Sequence, residues 1–444
     1  SDGPAITGSV ELAFDVFRVY EDDYIRAWDE ILADVTVVPV NGVEEAALVL
    51  GTVGSATSPL RGFLTTVAAQ TNLEAEAPGE KAGAVDDAVS AAADAAQSQL
   101  GKVFESGAEA LGATSAERPG SRVTKHFEPI HRLVAGPPGG APIDRVLQLF
   151  GQIQQQLNTV QAGAGGGSPA QVLAQGGGAD LLQQLQIETK MLPPAVGAIV
   201  AEVGGKSQKL AQGQVRSELG NLYREMVVLP CAEVVNGRYP FERSAKTDVP
   251  LADFGRVFGA GGIFDSFFAQ NLAPLVDTSR SPWRWRPTAK GVGLSSRVLG
   301  QFEHVNRIRS VYFPSGGPVP EFSFNLTPEY LDAGATRFAM EVDGQSFEYR
   351  HGPQRSTSMK WPGQGAGQAA ATLDTQGGAS PNQVFSGPWA LFRLLDSARI
   401  QPQTDTRFLL NFAIGGSSAR VLLDAATIRN PLRENVLQGF SCGR

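Results

Sequence analysis

Apolar residues recur every three or four positions over residues 12–35, at Phe17, Tyr20, Tyr24, Trp28, Ile31 and Val35. That is the spacing of a helix with one face turned to a core. Glu21, Asp22, Asp23, Arg26 and Glu30 supply the polar face. Ser58-Pro59 reads as an N-cap followed by proline at the first helical position, opening a helix to about residue 70. Val146, Leu149, Phe150, Ile153 and Leu157 form another helical stripe. A pair of helices is predicted over 180–229, broken at Pro193-Pro194 and ended by Pro230. Short helices follow at 250–258 and 263–273. The last long helix is predicted over 294–312, with Leu294, Val298, Phe302, Val305 and Ile308 on one face. Two Ala/Gly-rich segments, 74–118 and 161–180, have few large apolar side chains and read as flexible insertions.

After Phe313-Pro314 the apolar period changes to two. Phe322, Phe324 and Leu326 alternate with Ser323 and Asn325, and Phe338, Met340 and Val342 alternate in the next run. Asp343-Gly344 then precedes Phe347 and Tyr349, a hairpin signature. Residues 357–361 and 370–373 read as further strands, and Trp389, Phe392 and Leu395 as a short helical stripe. Residues 408–414 and 420–423, joined by Gly415-Gly416-Ser417-Ser418, form a second hairpin. Six or seven strands over about 110 residues suffice for a small sandwich. The expected fold is therefore α+β and segregated, a long all-α helical body followed by a small C-terminal β-sandwich-like domain. Residues 1–230 form the body, 231–313 a helical subdomain leading into the β-domain, and 314–444 a β-rich partner-binding domain.

The formal net charge of -8 argues against a nucleic-acid surface, since phosphate binding needs clustered Lys and Arg. The one basic cluster, Arg280 to Arg286, interleaves with Trp283 and Trp285 and reads as Trp–Arg packing. No apolar run is long enough to span a bilayer. The start, Ser1-Asp2-Gly3 and onward, lacks the basic and apolar regions of a signal peptide. Ser1-Asp2-Gly3 reads as a junction, and the chain as a piece of a larger protein.

Candidate chemistry fails on spacing. Gly204-Gly205-Lys206-Ser207 needs a glycine at position 200 to wrap phosphates, and Val200 stands there. His126 and His131 are five apart with Pro129 between them, whereas a zinc-protease helix needs two His four apart. His304 and His351 have no nucleophile or carboxylate nearby in sequence. The pairs Asp22-Asp23 and Asp86-Asp87 read as solvated helix faces. No catalytic residue, cofactor or metal site is expected. Cys231 and Cys442 match neither a zinc site nor a redox CxxC, and one disulfide or two buried thiols are both open.

One stretch is more specific. Gly237-Arg238-Tyr239-Pro240-Phe241, Asp248-Val249-Pro250-Leu251, Asp253-Phe254, Phe258, Gly261-Gly262, Asp265 and Phe267-Phe268 occur in close order. With the Tyr24 to Trp28 helix, Ser58-Pro59-Leu60, Gly387-Pro388-Trp389 and Arg393-Leu394-Leu395, they resemble the C-terminal periplasmic region of the IcmF/VasK family, the TssM proteins of type VI secretion. The resemblance implies a periplasmic region of a bacterial inner-membrane protein, with the membrane engaged only through segments outside this chain. It also implies a terminal β-domain that binds the outer-membrane lipoprotein TssJ. TssL and other TssM copies complete the implied complex, and NTPase activity in the family belongs to a cytoplasmic domain absent here. An oxidising periplasm permits a Cys231–Cys442 bridge. No family motif fixes the contacts, so exposed loops supply them: Ser315 and Val319, Gln354 and Arg355, Ser417 and Ser418. The competing expectation is a cell-envelope β-module on a helical stalk, binding glycan or peptide through an aromatic patch at Trp361 or Trp389. A wall hydrolase using scattered carboxylates is a further one.

Overall fold

The computed structural model describes residues 4–37, 40–73, 120–137, 139–161, 178–289 and 291–443. The chain divides into two compact units, Ser1–Val215 and Arg216–Arg444. The insertion expected at 74–118 lies outside the described residues. Of that at 161–180, only residue 161 and residues 178–180 are described, as helix ends.

The first unit is helical. Its elements are α1 (Pro4–Asp34), α2 (Val43–Val53), α3 (Pro59–Thr71), α4 (Ser121–Val134), α5 (Pro142–Gln161), α6 (Gly178–Met191) and the first part of α7 (Pro194–Tyr223). Leu50, Leu64, Phe150, Val196 and Val200 are fully buried at the centre, one or more from each of α2, α3, α5 and α7. The predicted cap holds: the Ser58 hydroxyl accepts from the Arg61 N–H at 3.3 Å. Two buried carboxylates of this unit, Asp144 and Glu21, have partners, as burial demands. Asp144 binds Arg61 at 3.0 Å and accepts from the Ala141 N–H at 3.0 Å. Glu21 accepts from the Gly120 N–H at 2.6 Å, and burial raises its pKa. Arg122 with Asp22, and His126 with Asp29, tie α4 to α1. The Gly204-Gly205-Lys206-Ser207 run lies inside α7, where Lys206 pairs with Glu202 one turn away. Among the described residues no helix is long and apolar enough to cross a membrane.

The second unit begins with the last turns of α7. A π-helical turn, Arg224–Val228, leads directly into α8 (Leu229–Val235). Pro230 therefore does not end the helix. It sits just after the π-helical turn, in a helix that runs on to Val235. Next come α9 (Leu251–Phe258), α10 (Ile263–Phe267), the two-residue ladder β1 (Val276–Asp277) with β2 (Arg284–Trp285), and α11 (Ser296–Tyr312). The Trp–Arg cluster is packing: Trp283 lies 5.3 Å from the ring of Phe268, and Arg284-Trp285 form β2.

Nine strands follow: β3 (Phe322–Leu331), β4 (Ala335–Val342), β5 (Gln345–Tyr349), β6 (Thr357–Trp361), β7 (Gln368–Thr375), β8 (Asn382–Ser386), β9 (Arg399–Pro402), β10 (Arg407–Ile414) and β11 (Ser417–Ala425). A helix, α12 (Ala390–Ser397), separates β8 from β9. The strands form two antiparallel sheets, β6-β3-β11-β10-β9 and β5-β4-β7-β8. Alternate residues of β3, β4, β7, β10 and β11 are buried between the sheets, and Phe338 meets Phe412 there with ring centroids 5.4 Å apart. Both predicted hairpins form, Val342 pairing Gln345 and Ile414 pairing Ser417. Ser417 and Ser418 thus belong to β11 rather than to the turn, which is Gly415-Gly416 alone. Strands β8 and β9 add to the expected count. Each is an edge strand with little apolar alternation, so the pattern was silent there.

An aromatic cluster joins the sandwich to the helices within this unit. Phe254 is fully buried and packs against Phe258, Tyr312, Phe313 and Trp389 at 4.9–5.6 Å. Asp248, on the loop before α9, is the polar centre of the same junction. Its carboxylate accepts from Arg393 Nε of α12 at 3.0 Å and from the Trp389 N–H at 3.3 Å. The Trp389 indole N–H donates to the Val249 carbonyl at 2.7 Å. Arg393 also lies 4.0 Å over the Tyr239 ring. Gly387, at φ 112°, brings its Cα so close that a Cβ would stand 2.4 Å from the Asp248 carboxylate. Cys231 of α8 and Cys442 are joined as a disulfide.

Removing Asp248 leaves the Arg393 guanidinium buried without its counter-ion. Asp248→Ala is expected to lower stability by about 3 kcal/mol or more. Gly387→Ala destabilises through its φ and the Asp248 clash. Because both act on one carboxylate, the double variant loses less than the sum. Urea unfolding followed by tryptophan fluorescence reads this, since Trp283, Trp285, Trp361 and Trp389 all lie in the second unit.

Burial lowers the pKa of His304, so between that value and the ordinary value of about 6.5 the unfolded chain binds more protons. Stability is therefore expected to fall as pH drops below about 6.5. His304→Gln should remove that part of the pH dependence. The urea midpoints of the two proteins at several pH values between neutral and mildly acidic check this.

Candidate docking surface

The sandwich has two ends, fixed by strand register. β3 runs antiparallel to β11, so Leu331 at the finish of β3 faces Ala419 at the start of β11. Ala335 at the start of β4 faces Thr375 at the finish of β7. One end therefore gathers residues 332–334, 350–356, 376–381 and the Gly415-Gly416 turn. The other gathers residues 314–321, 343–344, 362–367 and 387–389, beside the aromatic cluster.

At the first end the loops brace one another. A Cβ on Gly415, at φ 60°, would meet the Pro381 ring at 2.3 Å, so this turn and the loop before β8 are in close contact. The Asp332 N–H donates to the Ser418 carbonyl at 3.0 Å, and the Gln376 N–H to the Gly334 carbonyl at 3.1 Å. His351 Nε2 lies 2.7 Å from the Ala335 carbonyl. Around these contacts stands a set of charges. Arg337 binds Asp374 at 2.6 Å and Glu348 at 3.5 Å, and Arg350 pairs with Glu348. The Arg350 hydrogen bond holds the Glu348 carboxyl below its usual range. Arg420 lies 4.7 Å over the Tyr330 ring. The surface is thus polar, mixed in sign and held by crossed loops.

The expected contact residues split between the ends. Gln354, Arg355, Ser417 and Ser418 come together at the first end. Gln354 and Arg355 are exposed, and the Gln354 amide donates to the Glu329 carbonyl at 3.2 Å. Ser417 and Ser418 are half-buried strand residues. Ser315 and Val319 lie at the second end. The Ser315 N–H donates to Glu321, which in turn binds Lys360. Val319 is 56% exposed and lines an open cleft of about 630 Å³ with Met226, Arg256, Ile263 and Phe267. Sequence reasoning missed the partners Arg337 of β4, Glu348 of β5, Asp374 of β7 and Arg350 in the loop after β5, which carry no signal beyond solvated charged positions.

The strand edges are partly closed. The Gln345 amide donates to the Lys360 carbonyl at 2.6 Å and accepts from its N–H at 2.9 Å, so β5 covers the free edge of β6 at that residue. Helix α12 packs on β7, β8 and β9 and fills the mouth between the other two edges. Val384 of β8 stays 54% exposed. Trp361 and Trp389 are buried in the cluster, 5.0 Å apart, and form no surface patch for glycan or peptide. Among the described residues no three His, Cys, Asp or Glu are arranged to hold a metal ion.

A family model described as the type VI secretion protein IcmF C2-like domain matches residues 324–427, from within β3 to just past β11. A second, IcmF-related and described as intracellular multiplication and human macrophage-killing, matches residues 4–72. The type VI secretion system component TssM1 of Pseudomonas aeruginosa is 36% identical over 449 aligned residues, which cover 98% of this chain and 40% of TssM1. The chain thus spans 40% of the length of that curated relative. A solved structure titled type VI secretion system membrane core complex shares the fold at a TM-score of 0.65 and 17% identity, covering 99% of this chain and 87% of the matched one. Another, titled type VI membrane complex, does so at 0.62 and 16%, covering 97% and 79%. With IcmF models at both ends and TssM1 identity along nearly its whole length, the chain belongs to the IcmF family of type VI secretion proteins, as a TssM segment.

Proposed function

We propose that this chain is a periplasmic scaffold segment of a type VI secretion membrane complex, and that it performs no catalysis. Its β-sandwich docks the outer-membrane lipoprotein TssJ, and the helical body packs against other copies. TssL and membrane-spanning segments outside this chain complete the assembly. The observation that carries the reading is identity to TssM1 along 98% of the chain. It is supported by a sandwich end built of exposed, mutually braced loops, the kind of surface a rigid scaffold presents to a partner. The disulfide supports an oxidising compartment.

The dock is assigned to the first end of the sandwich, where Gln354, Arg355, Ser417 and Ser418 meet the Arg337 and Arg350 charges. The mixed charge there suits a polar, steered contact rather than an apolar one. The other end is occupied by the junction with α9 and α11. The alternative of a glycan- or peptide-binding module loses its basis with Trp361 and Trp389 buried.

The test is a titration of the lipoprotein against the full chain and two variants. Gln354→Glu with Arg355→Glu is expected to weaken binding about tenfold or more while unfolding midpoints stay the same, an effect of about 1.4 kcal/mol. Ser315→Glu with Val319→Glu is expected to leave affinity unchanged. Loss from the second pair alone would move the dock to the junction end, and loss from neither would move it to the helical body.

A further inference from the structure

The segment after the last strand crosses the second unit without joining either sheet. Residues 430–443 contain no helix and no strand. Their backbone-to-backbone hydrogen bonds are local, from Glu434 to Asn430, Val436 to Glu434, Phe440 to Leu437 and Gly443 to Ser441. The near end is anchored by Asn430, whose fully buried amide donates to the Asp405, Thr427 and Ile428 carbonyls at 3.0–3.2 Å. Beyond it, Arg433 pairs with Asp405. Further along, attachment falls to side chains. His304 Nε2 meets the Val436 carbonyl at 2.6 Å, and Gln301 donates to the Ser441 carbonyl at 2.7 Å. Phe440 inserts its ring among Phe241, Phe258 and Phe264 at 5.2–6.1 Å. The far end is held covalently by Cys442 to Cys231 of α8.

We propose that residues 430–443 are a redox-locked strap, hinged at Asn430 and latched by the Cys231–Cys442 bond, that covers an apolar face of the helical subdomain. A segment with no ladder to the body depends on its few anchors, and the distal anchor is the disulfide. Latching is a two-electron step. The Cys231 and Cys442 thiols lose two protons and two electrons to the disulfide of a thiol–disulfide oxidoreductase, which departs as a dithiol. A reductant of the dithiol or phosphine class reverses it. Release lifts Phe440 from the cluster and widens a cleft of about 530 Å³ lined by Tyr223, Val228, Val298, Gln301 and His304. The chain thus has two forms, closed after oxidation and open before it, that differ in exposed apolar surface while the sandwich stays folded.

Hydrogen exchange on the full chain, oxidised and then held in tris(2-carboxyethyl)phosphine, tests this. Amides of 434–443 are expected to exchange about tenfold faster or more after reduction, through local rather than global opening. Protection in β10 and β11 should be unchanged, trypsin should cleave after Arg433 faster, and reoxidation should restore the first pattern. The Cys442→Ser chain should behave as the reduced protein. If that variant does not fold, the reversible cycle on the native chain is decisive by itself. Unchanged strap protection after reduction overturns the proposal, because packing alone would then hold the segment. Equal loss of protection in the strap and in the β10–β11 hairpin also overturns it, because the bond would then be a staple for the whole unit. If the two sulfurs resist reductant in the folded chain, the open form is not accessible and the latch is refuted.

Discussion

The buried carboxylate of Asp248 is the constraint on which the second unit depends. Its side chain is only 9% exposed and Arg393, its counter-ion, 19%. A charge removed from water to that degree is stable only with a partner and with its oxygens hydrogen-bonded. Those partners lie some 140 residues later, on the stretch from Trp389 to Arg393. The loop before α9 and the turn into α12 must therefore be in place together or not at all. Gly387 follows from the same requirement, since no side chain fits between its Cα and the carboxylate. The constraint then passes along the chain. The Gly387 N–H donates to the Gly367 carbonyl at 2.8 Å, and the Gly367 N–H to Asp343 at 2.9 Å. Asp343 is a second buried carboxylate, at the β4–β5 turn, and it also accepts from the Gly363 N–H. Two acidic groups thus set the paths of the 343–344, 362–367 and 387–389 loops at the junction end.

These contacts explain why the family signature lies where it does. Gly237 to Phe241, Asp248 to Leu251 and Gly387 to Arg393 are separate in sequence but meet in the fold. Tyr239 donates to Asp396 and lies under Arg393, Asp248 binds Arg393, and Trp389 bonds Val249. The pattern was legible as resemblance before it was legible as contact. Periodicity reports which face of one element is buried, but it says nothing about which distant element covers that face. The hairpins at Asp343-Gly344 and Gly415-Gly416 were legible because turn chemistry is local. The π-helical turn before Pro230 was not, because it leaves the apolar spacing nearly unchanged while shifting the hydrogen-bond register. Strands β8 and β9 were hidden for a different reason: an edge strand covered by α12 on one side needs little apolar alternation of its own.

The candidate site was legible by half. Exposure can be guessed from loop composition, and Ser315, Val319, Gln354 and Arg355 are indeed exposed. The end of the sandwich to which a loop belongs is set by register, which depends on pairings across up to a hundred residues. The bulge between Arg420 and Val421 is an example. It sets which β11 residues face Pro328 and Tyr330, and no local pattern announces it. Six loop residues therefore read from sequence as one surface and fold into two, one of them crowded by the junction.

The separation of the two ends bears on mechanics. If the first end is the dock, a load applied there enters the finish of β3 and the start of β11, two adjacent inner strands of the larger sheet. It runs along their length to Phe322, beside Phe324 and Phe392. From there it reaches Tyr312 of α11, whose carbonyl accepts from the Glu321 N–H at 2.7 Å. Load in that direction shears the ladder, so its hydrogen bonds resist together rather than one after another. At the junction the path meets close-packed aromatic rings, and a core at that density transmits strain with little yielding. A dock on the free edge of β8 would instead peel strands singly. A partner that must hold under load is better placed at the loops, where the register puts the exposed charges.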